Sequence, residues 1–342
     1  METTLWKKTG LTPTRMGFGC LPIQRLTAPE AARLVRMAYD AGVRFFDTAR
    51  AYTDSEAKVA LALKEVRRDV ILATKTTADT AEKFERDLET SLRTLQTDYI
   101  DIYQFHNPSF VPMPGSADGL YDAMAKAKAA GKVRFIGITQ HSGERGMQAV
   151  RSGLYDTLQY PFNHLATEED VALVRACGEA GMGIIAMKAL SGGLVTDASI
   201  PFAYLRQFPP VVPIWGFQRE AELRQVLDFE TTPPALDDAM RAKIESDRAQ
   251  LAGSFCRGCG YCLPCPAGIP INNANRMTQL LTRSPAQGWL TPDFRQEMLR
   301  VNDCVRCGAC ESRCPYHLKP YETLKGHLDF YEQLYKQAHP ED

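Results

Sequence analysis

The sequence lacks the features that mark membrane, secreted and nucleic-acid-binding proteins. Its 342 residues hold no uninterrupted apolar run near the roughly 18 residues that a membrane span needs, and the N-terminus has no secretory apolar stretch. The chain has 40 Lys and Arg residues against 41 Asp and Glu, so its net charge of −1 gives no reason to expect nucleic acid or an anionic membrane as a partner. The composition, 44% hydrophobic and 24% charged, excludes disordered and fibrous classes. We therefore expect a soluble cytoplasmic protein.

Short apolar runs alternate with amphipathic helical patterns over the first two thirds of the chain. Each run is strand-sized and is followed by a helical crossover, which predicts a parallel sheet buried on both faces. Eight such units in roughly 215 residues indicate an α/β fold of the (β/α)8 TIM-barrel type, with a doubly wound open sheet as the alternative. Residues 3–15 predict a hairpin that closes the bottom of the barrel, and Asp79 and Glu82 predict a capping box for the third helix. The predicted strands are 16–19, 43–47, 70–74, 99–105, 133–138, 157–159, 183–187 and 211–214.

The character of the sequence changes after the eighth unit. Residues 231–234 read Thr-Thr-Pro-Pro, which interrupts any helix, and residues 235–251 resume a charged helical pattern. Eight of the 10 cysteines follow, from Cys256 to Cys314. So many thiols in a chain without a secretory signal favour metal binding over disulfides. We predict a barrel at 1–230, a helical linker at 231–252 and a small, mainly helical, metal-binding domain at 253–342.

Four chemically active residues lie at the carboxyl ends of predicted strands two to four, the rim where TIM barrels carry their chemistry. Asp47 and Tyr52 follow the second strand, Lys75 the third and His106 the fourth. The set suits reversible carbonyl reduction. Tyr52 would give a proton to the substrate oxygen, since the Lys75 ammonium would lower the pKa of its phenol. Asp47 would hold that lysine, and His106 would donate a hydrogen bond to the carbonyl oxygen. Taken singly, each residue also has a structural explanation, as a turn cap, a packing ring, a solvated cation or a core histidine.

These residues occur in the runs Phe-Asp-Thr-Ala-x-x-Tyr at 46–52, Thr-Lys at 74–75 and Phe-His at 105–106, which resemble the catalytic tetrad of the aldo-keto reductases. The resemblance extends from residue 6 to about residue 227. It implies that Asp47, Tyr52, Lys75 and His106 are catalytic and that the cofactor is NADP(H) or NAD(H). The segments similar to the family's cofactor-binding strands imply the contact residues Thr139, Gln140, Gln159, Lys188, Leu190, Gly216, Phe217 and Gln218.

Two stretches depart from the family pattern. Met187 and Lys188 stand where many members have an aromatic residue that stacks on the nicotinamide. Residues 216–220, with Gln-Val at 225–226, replace the stretch that ends in Glu-Asn in members that bind the adenosine 2′-phosphate. Arg219 suits phosphate geometry, with a solvated surface arginine as the alternative. The sequence therefore leaves the choice between NADPH and NADH open.

The cysteines form two runs with iron–sulfur spacing. Residues 256–266 read Cys-x2-Cys-x2-Cys-x2-Cys-Pro, and residues 304–315 read Cys-x2-Cys-x2-Cys-x3-Cys-Pro, the bacterial ferredoxin run for [4Fe–4S] clusters. Zinc is the alternative, because C-x2-C pairs also bind zinc. The short last spacing of the first run leaves open whether Cys265 is a ligand. Resemblance to two-cluster ferredoxins implies two [4Fe–4S] clusters, one on Cys256, Cys259, Cys262 and Cys314 and one on Cys265, Cys304, Cys307 and Cys310.

Together, the barrel and the cysteine runs resemble aldo-keto reductases with a C-terminal ferredoxin-like domain. The resemblance implies an oxidoreductase that interconverts an aldehyde or ketone, sugar-derived carbonyls included, and an alcohol by hydride transfer with NAD(P)H. The alternatives are a redox-sensing protein and an electron-transfer protein whose barrel docks a partner. The expected partners are a small carbonyl or alcohol and, if the clusters are redox-active, an external electron carrier. Because a hydride carries two electrons and each cluster passes one, we favour a structural role for the clusters.

Overall fold

The computed structural model describes residues 1–251, 255–283 and 286–341 and contains the predicted barrel. Eight parallel strands pair in sequence order and β1 closes against β8, so the doubly wound alternative is wrong. Each predicted strand is present, and no strand end differs from its prediction by more than 2 residues. The strands are β1 (Gly17–Gly19), β2 (Phe45–Asp47), β3 (Ile71–Thr76), β4 (Ile100–His106), β5 (Val133–Thr139), β6 (Thr157–Pro161), β7 (Gly183–Met187) and β8 (Val211–Gly216).

Amphipathic helices connect the strands and cover the outside of the barrel. Helix α1 is representative, because its residues at i, i+3, i+4 and i+7 from Ala31 to Ala38 are all buried and its start is fixed by a capping box of Thr27 and Glu30. The barrel helices are α1 (Ala28–Asp40), α2 (Ser55–Leu63), α3 (Ala81–Leu95), α4 (Leu120–Ala129), α5 (Gly143–Ser152), α6 (Glu168–Glu179), α7 (Ser199–Leu205) and α8 (Glu220–Thr231).

The start of α3 differs from the prediction. The N-cap residue is Thr80, whose hydroxyl accepts a hydrogen bond from the backbone N–H of Lys83 at 3.3 Å, so the predicted capping box of Asp79 and Glu82 is wrong. Asp79 instead forms an exposed ion pair with Lys83 at 3.5 Å. Asp and Thr are both good N-cap residues, and the local sequence does not distinguish two adjacent ones.

The N-terminal segment closes the lower end of the barrel. Antiparallel bridges join Thr3 to Thr14 and Trp6 to Leu11, as expected for the predicted hairpin. The buried Trp6 ring packs in one cluster with residues near the amino ends of the strands, among them Phe45. Its indole N–H donates to the carbonyl of Pro210 at 2.9 Å, and Gly183 leaves room for the ring because a Cβ there would clash with it. Apolar packing thus concentrates at this end, away from the polar rim.

The chain divides into two compact units. The first comprises Met1–Ala189 and Ser199–Met240, and the second comprises Leu190–Ala198 and Arg241–Asp342. The first therefore holds the barrel without the segment that follows β7. The three-part division at residues 230 and 252 stays a prediction, and its second boundary, between residues 252 and 253, lies outside the described residues.

The second unit is mainly helical. Its longest helix, α14, packs against four shorter ones and buries Leu328 and Tyr331 with Met277 and Met298. Residues 255–270 hold no helix or strand. Two arginines hold the segment Leu190–Ala198, since Arg276 and Arg283 donate to its backbone carbonyls at 2.8 and 2.9 Å. The helices are α9 (Asp238–Gln250), α10 (Ile271–Ala274), α11 (Met277–Arg283), α12 (Pro292–Leu299), α13 (Ala309–Ser312) and α14 (Pro320–Ala338).

Within the described part of the chain, no helix has the length and apolar character needed to cross a membrane.

Candidate active site

Three neighbouring strands carry the site to one rim of the barrel. Asp47 is the last residue of β2, Lys75 lies one residue before the end of β3 and His106 is the last residue of β4. Parallel pairing of β2 with β3 and of β3 with β4 aligns these ends. Tyr52 lies in the loop between β2 and α2. The closed parallel barrel thus brings together four residues that are up to 59 positions apart in the sequence.

A buried ion pair forms the floor of the site. Lys75 Nζ donates to Asp47 Oδ1 at 2.6 Å and to the carbonyl of Thr48 at 2.7 Å, and both charged side chains are fully buried. Burial lowers the pKa of Lys75 from its ordinary value, and contact with the Asp47 carboxylate opposes that effect. The Asp47 carboxylate therefore favours the charged lysine inside the barrel.

Tyr52 lies above this pair. Lys75 Nζ is 5.3 Å from the centre of the Tyr52 ring, and the Tyr52 and His106 rings meet edge to face with their centres 5.7 Å apart. Tyr52 is half-buried, so the ring is accessible from the rim while its cationic neighbour is not. The arrangement sets a phenol between a desolvated cation and an imidazole.

His106 is held as a neutral imidazole. Burial, and next the positive charge of Lys75, lower its pKa to about 3. Its buried Nδ1 has no hydrogen-bond partner among the described residues. A neutral imidazole carries one N–H donor and one acceptor, so His106 can offer a hydrogen bond to an uncharged oxygen without bringing a second positive charge into the site.

Gln104, which no sequence motif marked as a site residue, links Asp47 to the next two strands. Its amide nitrogen donates to Asp47 Oδ2 at 3.2 Å and to Gln159 Oε1 at 2.9 Å, and its oxygen accepts from the Thr139 hydroxyl at 3.2 Å. Gln159 in turn donates to Asp47 Oδ1 at 3.3 Å. The available signal was a polar residue inside an apolar strand, since a buried amide needs partners.

Two of the expected cofactor residues lie beside the tetrad. Strand pairing puts His106 opposite Thr139 and Thr139 opposite Gln159, so the three side chains begin at one level of the barrel. Gln140 follows Thr139 and is engaged by the protein itself, because its nitrogen donates to the Pro108 carbonyl at 3.0 Å and its oxygen accepts from Arg145 at 3.1 Å. Thr139 and Gln159 thus lie at the level of His106, where both are buried and hydrogen-bonded within the network around Gln104.

The remaining expected cofactor residues follow β7 and β8. The Lys188 carbonyl accepts from Asn163 at 2.8 Å, and Leu190 begins the segment that belongs to the second unit. Gly216 is exposed at the end of β8. The ring of Phe217 is buried against Phe18, with centres 5.3 Å apart, and the residue as a whole is 2% exposed.

Gln218 lies where α8 begins, and a carboxylate already serves that helix start. Glu222 accepts from the backbone N–H groups of Gln218 and Arg219 at 2.8 and 3.0 Å. The Arg219 guanidinium also donates to Glu222, at 2.6 and 2.9 Å. The Arg219 side chain is nevertheless 78% exposed, so it is a solvated surface arginine, one of the two alternatives that the sequence suggested, with Glu222 as its ion-pair partner.

The eight clustered cysteines all lie within the second unit and form two groups that share Cys262. Cys265, Cys304, Cys307 and Cys310 line one cavity together with Cys262. Cys256, Cys259, Cys262 and Cys314 are electrostatic neighbours: burial raises the pKa of the Cys262 thiol first, and the other three thiols raise it further. Within the described residues, no three His, Cys, Asp or Glu side chains are grouped closely enough to hold a single metal ion.

Two family models match the chain. The aldo/keto reductase family model matches residues 15–208, and the model of a 4Fe-4S dicluster domain matches residues 255–319. The first match covers more than half of the chain and includes all four tetrad residues. The second covers all eight clustered cysteines.

Curated relatives agree with the first match. The aldo-keto reductase YhdN of Bacillus subtilis is 32% identical over 217 residues, 57% of this chain and 64% of that protein. The L-galactose dehydrogenase of Arabidopsis thaliana is 30% identical over 213 residues, 56% of this chain and 66% of that protein. The matched region thus spans less than two thirds of each relative's length.

Solved structures share the fold. An aldo-keto reductase from Klebsiella pneumoniae in complex with NADPH superposes with a TM-score of 0.64 at 21% identity, over 72% of this chain and 95% of that one. The holo form of an aldo-keto reductase from Bacillus halodurans gives a TM-score of 0.63 at 20% identity, over 72% and 96%. At this identity the likeness shows the barrel fold alone.

The pKa of His106 yields a first prediction. We expect its imidazole to stay neutral from pH 8 down to pH 5, because the folded pKa of about 3 lies far below the ordinary value near 6.5. The stability that follows from this shift is present above pH 6.5 and is lost as the pH falls through about 3. Ring nitrogen shifts measured by NMR, assigned with the His106→Gln variant, test this. A titration midpoint between pH 5 and pH 8 would contradict the neutral assignment.

Proposed function

The chain belongs to the aldo/keto reductase family, and on that premise we propose that it interconverts an aldehyde or ketone and the corresponding alcohol with NADP(H) or NAD(H). The observation that carries the proposal is the buried Asp47–Lys75 ion pair beneath Tyr52. A barrel that only senses redox state or docks an electron carrier has no need of a desolvated cation under a half-exposed phenol.

Tyr52 is the proton donor in carbonyl reduction. A phenol with an ordinary pKa near 10 is a weak acid at neutral pH, and phenolate formation becomes easier next to a positive charge. Lys75 supplies that charge 5.3 Å from the ring centre. The O–H proton of Tyr52 passes to the substrate oxygen as negative charge develops there, and the reverse transfer serves alcohol oxidation.

Asp47 and His106 prepare the site for that transfer. Asp47 keeps Lys75 protonated and fixed, and its own carboxylate is fixed by Gln104 and Gln159. His106 donates a hydrogen bond to the carbonyl oxygen as a neutral group, which orients the substrate and stabilises the developing charge. Tyr52 and His106 thus both act on the substrate oxygen, and Asp47 acts through Lys75.

The residues beside the tetrad fit a nicotinamide. The Thr139 hydroxyl and the Gln159 amide lie next to His106 across paired strands. Beside their bonds to Gln104 and Asp47, the Thr139 oxygen can still accept a hydrogen bond and the Gln159 amide keeps a second N–H, so both suit a carboxamide. When bound, the reduced nicotinamide supplies a hydride to the carbonyl carbon. On the family pattern Gln140 is assigned to the carboxamide as well, and Lys188, Leu190, Gly216, Phe217 and Gln218 are assigned to the rest of the cofactor. The NADPH in the Klebsiella pneumoniae structure supports the same ligand class for this chain.

The rim loops indicate a substrate with an apolar portion. Loops 20–27 and 107–119 extend beyond β1 and β4, and each exposes large hydrophobic side chains. Leu21 is 47% exposed in the first loop, and Phe110 and Met113 are 40% and 38% exposed in the second. Such side chains suit the body of an apolar aldehyde or ketone. Sugar-derived carbonyls are the second class to test, because one relative is a galactose dehydrogenase.

The second unit is assigned two [4Fe–4S] clusters, one on Cys256, Cys259, Cys262 and Cys314 and one on Cys265, Cys304, Cys307 and Cys310. The latter four line one cavity, which supports the second site. Cys262 also lines that cavity, and its electrostatic coupling to Cys256, Cys259 and Cys314 supports its assignment to the first site. When bound, each cluster can accept or donate one electron. Residues 255–270 have no helix or strand of their own, and cluster ligation by the thiolates in this segment would order it, which supports a structural role during carbonyl turnover. An external electron carrier is the partner that a redox role would require.

Substitution of the proton donor tests the activity. We expect Tyr52→Phe to lower kcat by at least about 100-fold, because it removes the transferred proton. The Kd of NADPH or NADH, followed by nicotinamide fluorescence, should change by less than about 3-fold, since the ring remains. Turnover is measured by nicotinamide absorbance on apolar and sugar-derived carbonyls and alcohols, with Tyr121→Phe as the matched control. Wild-type kcat retained in Tyr52→Phe would overturn the role of Tyr52, and wild-type protein that binds neither cofactor would overturn the proposed function.

Glu222 generates a prediction on cofactor choice. Its carboxylate accepts hydrogen bonds from the backbone at the start of α8 and from the Arg219 guanidinium. Its negative charge would also repel a 2′-phosphate. We expect Glu222→Gln to tighten NADPH binding by about 10-fold relative to NADH, because the change removes a negative charge beside the exposed Arg219 guanidinium and leaves that group free to make a charge-assisted contact. Asp228→Asn, which removes the same charge at the far end of α8, is the control. An unchanged ratio of the two Kd values would show that the 2′-phosphate binds elsewhere.

The role of the clusters is tested by anaerobic turnover. With the clusters held oxidised or reduced, we expect the same rate of carbonyl reduction. Cys307→Ala should lose about half of the iron and acid-labile sulfide and should lower the melting temperature. Cys177→Ala, a buried thiol of α6, is the control and should keep the full cluster content. A rate that follows the redox state of the clusters would replace the structural role with electron transfer.

A further inference from the structure

A second buried carboxylate lies near the site, and the mechanism above does not use it. Glu56, in the first turn of α2, is 1% exposed. Its Oε1 accepts from the hydroxyls of Thr74 on β3 and Ser91 on α3 at 2.8 and 2.7 Å. Its Oε2 forms an ion pair with the Arg50 guanidinium. Removal of either partner of a buried ion pair is costly, because it leaves an uncompensated buried charge. The pairing therefore fixes the positions of both Glu56 and Arg50.

Arg50 connects this carboxylate to the proton donor. It lies two residues before Tyr52, its backbone N–H donates to the carbonyl of Lys75 at 2.9 Å, and its side chain is 25% exposed. The next turn is closed by the Tyr52 N–H, which donates to the Ala49 carbonyl at 3.0 Å. The loop that carries Tyr52 is thus held at its backbone by β3 and at its arginine side chain by α2.

We propose that Glu56, acting through Arg50, is a positioning residue that fixes the Tyr52 hydroxyl over the substrate oxygen. The inference rests on the proposed role of Tyr52 in carbonyl reduction. The geometry gives the reason: Glu56 is anchored to β3 and α3 by two hydroxyls, so the Arg50 guanidinium is tied to the same β3 strand that carries Lys75. Strand β3 thereby fixes the position of Tyr52, through Glu56 and Arg50, and also carries Lys75. Misplacement of a reacting group by about 1 Å is enough to cost about 100-fold in rate.

A double-mutant cycle tests the connection. We expect Glu56→Gln and Arg50→Met each to lower kcat by about 10- to 100-fold, with the Kd of the cofactor changed by less than about 3-fold. The double variant should be no slower than the slower single variant, because both changes break one connection. Arg50→Lys, which keeps the charge, should recover part of kcat. Losses that multiply in the double variant would overturn the proposal.

Asp101→Asn is the matched control. Asp101 is an equally buried carboxylate, it pairs with Arg67 at 2.8 Å, and it lies at the opposite end of β4 from His106. We expect this variant to lower the melting temperature as Glu56→Gln does and to keep kcat within about 3-fold of the wild type. A kcat loss in Glu56→Gln no greater than that of Asp101→Asn would reduce Glu56 to a structural role and overturn the proposal.

Crystal structures of the wild type and of Glu56→Gln measure the position of Tyr52 independently of turnover, so they test the role of Glu56 even if the proposed activity is absent. Wild-type protein without turnover on any carbonyl would overturn the function, and the position of Tyr52 would still be measurable. We expect the Tyr52 hydroxyl to move by about 1 Å or more in Glu56→Gln relative to the wild type, while Lys75 stays on Asp47. If Glu56→Gln does not fold, Arg50→Met serves the same comparison. An unmoved Tyr52 would overturn the proposal.

Discussion

The ion pair between Asp47 and Lys75 is the interaction on which the rest of the site depends. A fully buried ammonium is tolerated only with a carboxylate at contact distance, and breaking such a pair by removing one partner costs about 3–5 kcal/mol. The barrel places the pair where its own strands end, between backbone carbonyl and side-chain amide groups that satisfy the remaining hydrogen bonds. Tyr52 and His106 both lie beside this fixed charge, which adds to the effect of burial in lowering the pKa of His106.

The barrel separates stability from chemistry along its axis. At the amino ends of the strands, Trp6 and its apolar neighbours fill the interior and close it. At the carboxyl ends, Asp47, Gln104, Gln159 and Thr139 form a connected polar layer in place of apolar packing. A buried polar layer is stable only when each member has partners, so its rigidity and its function have the same origin.

The second unit combines a small apolar core with a long segment that has no regular secondary structure. Helix α14 and its neighbours bury their own apolar core. Residues 255–270, by contrast, form no helix or strand that would pair their backbone groups and fix their position. Thiolate ligands can hold such loops without a hydrophobic core, as small metal-binding domains do. The segment Leu190–Ala198, which leaves β7, packs within this unit through Arg276 and Arg283. Contiguity in sequence therefore did not predict which residues form each unit.

The sequence by itself determined the alternation of strands and helices, the rim on which Asp47, Lys75 and His106 end their strands, and the iron–sulfur spacing of the cysteines. These are local periods and spacings, and each follows from the geometry of one element or one loop. Only the tertiary structure decided that the sheet closes, that Thr80 rather than Asp79 caps α3, that Gln104 ties Asp47 to Gln159, and that the Phe217 ring packs inward on Phe18. It also decided that Glu222 forms an ion pair with Arg219 and Glu56 with Arg50. The physical reason is that burial and hydrogen-bond partners across a barrel are set by residues far apart in the chain, and no local pattern encodes which of them will meet.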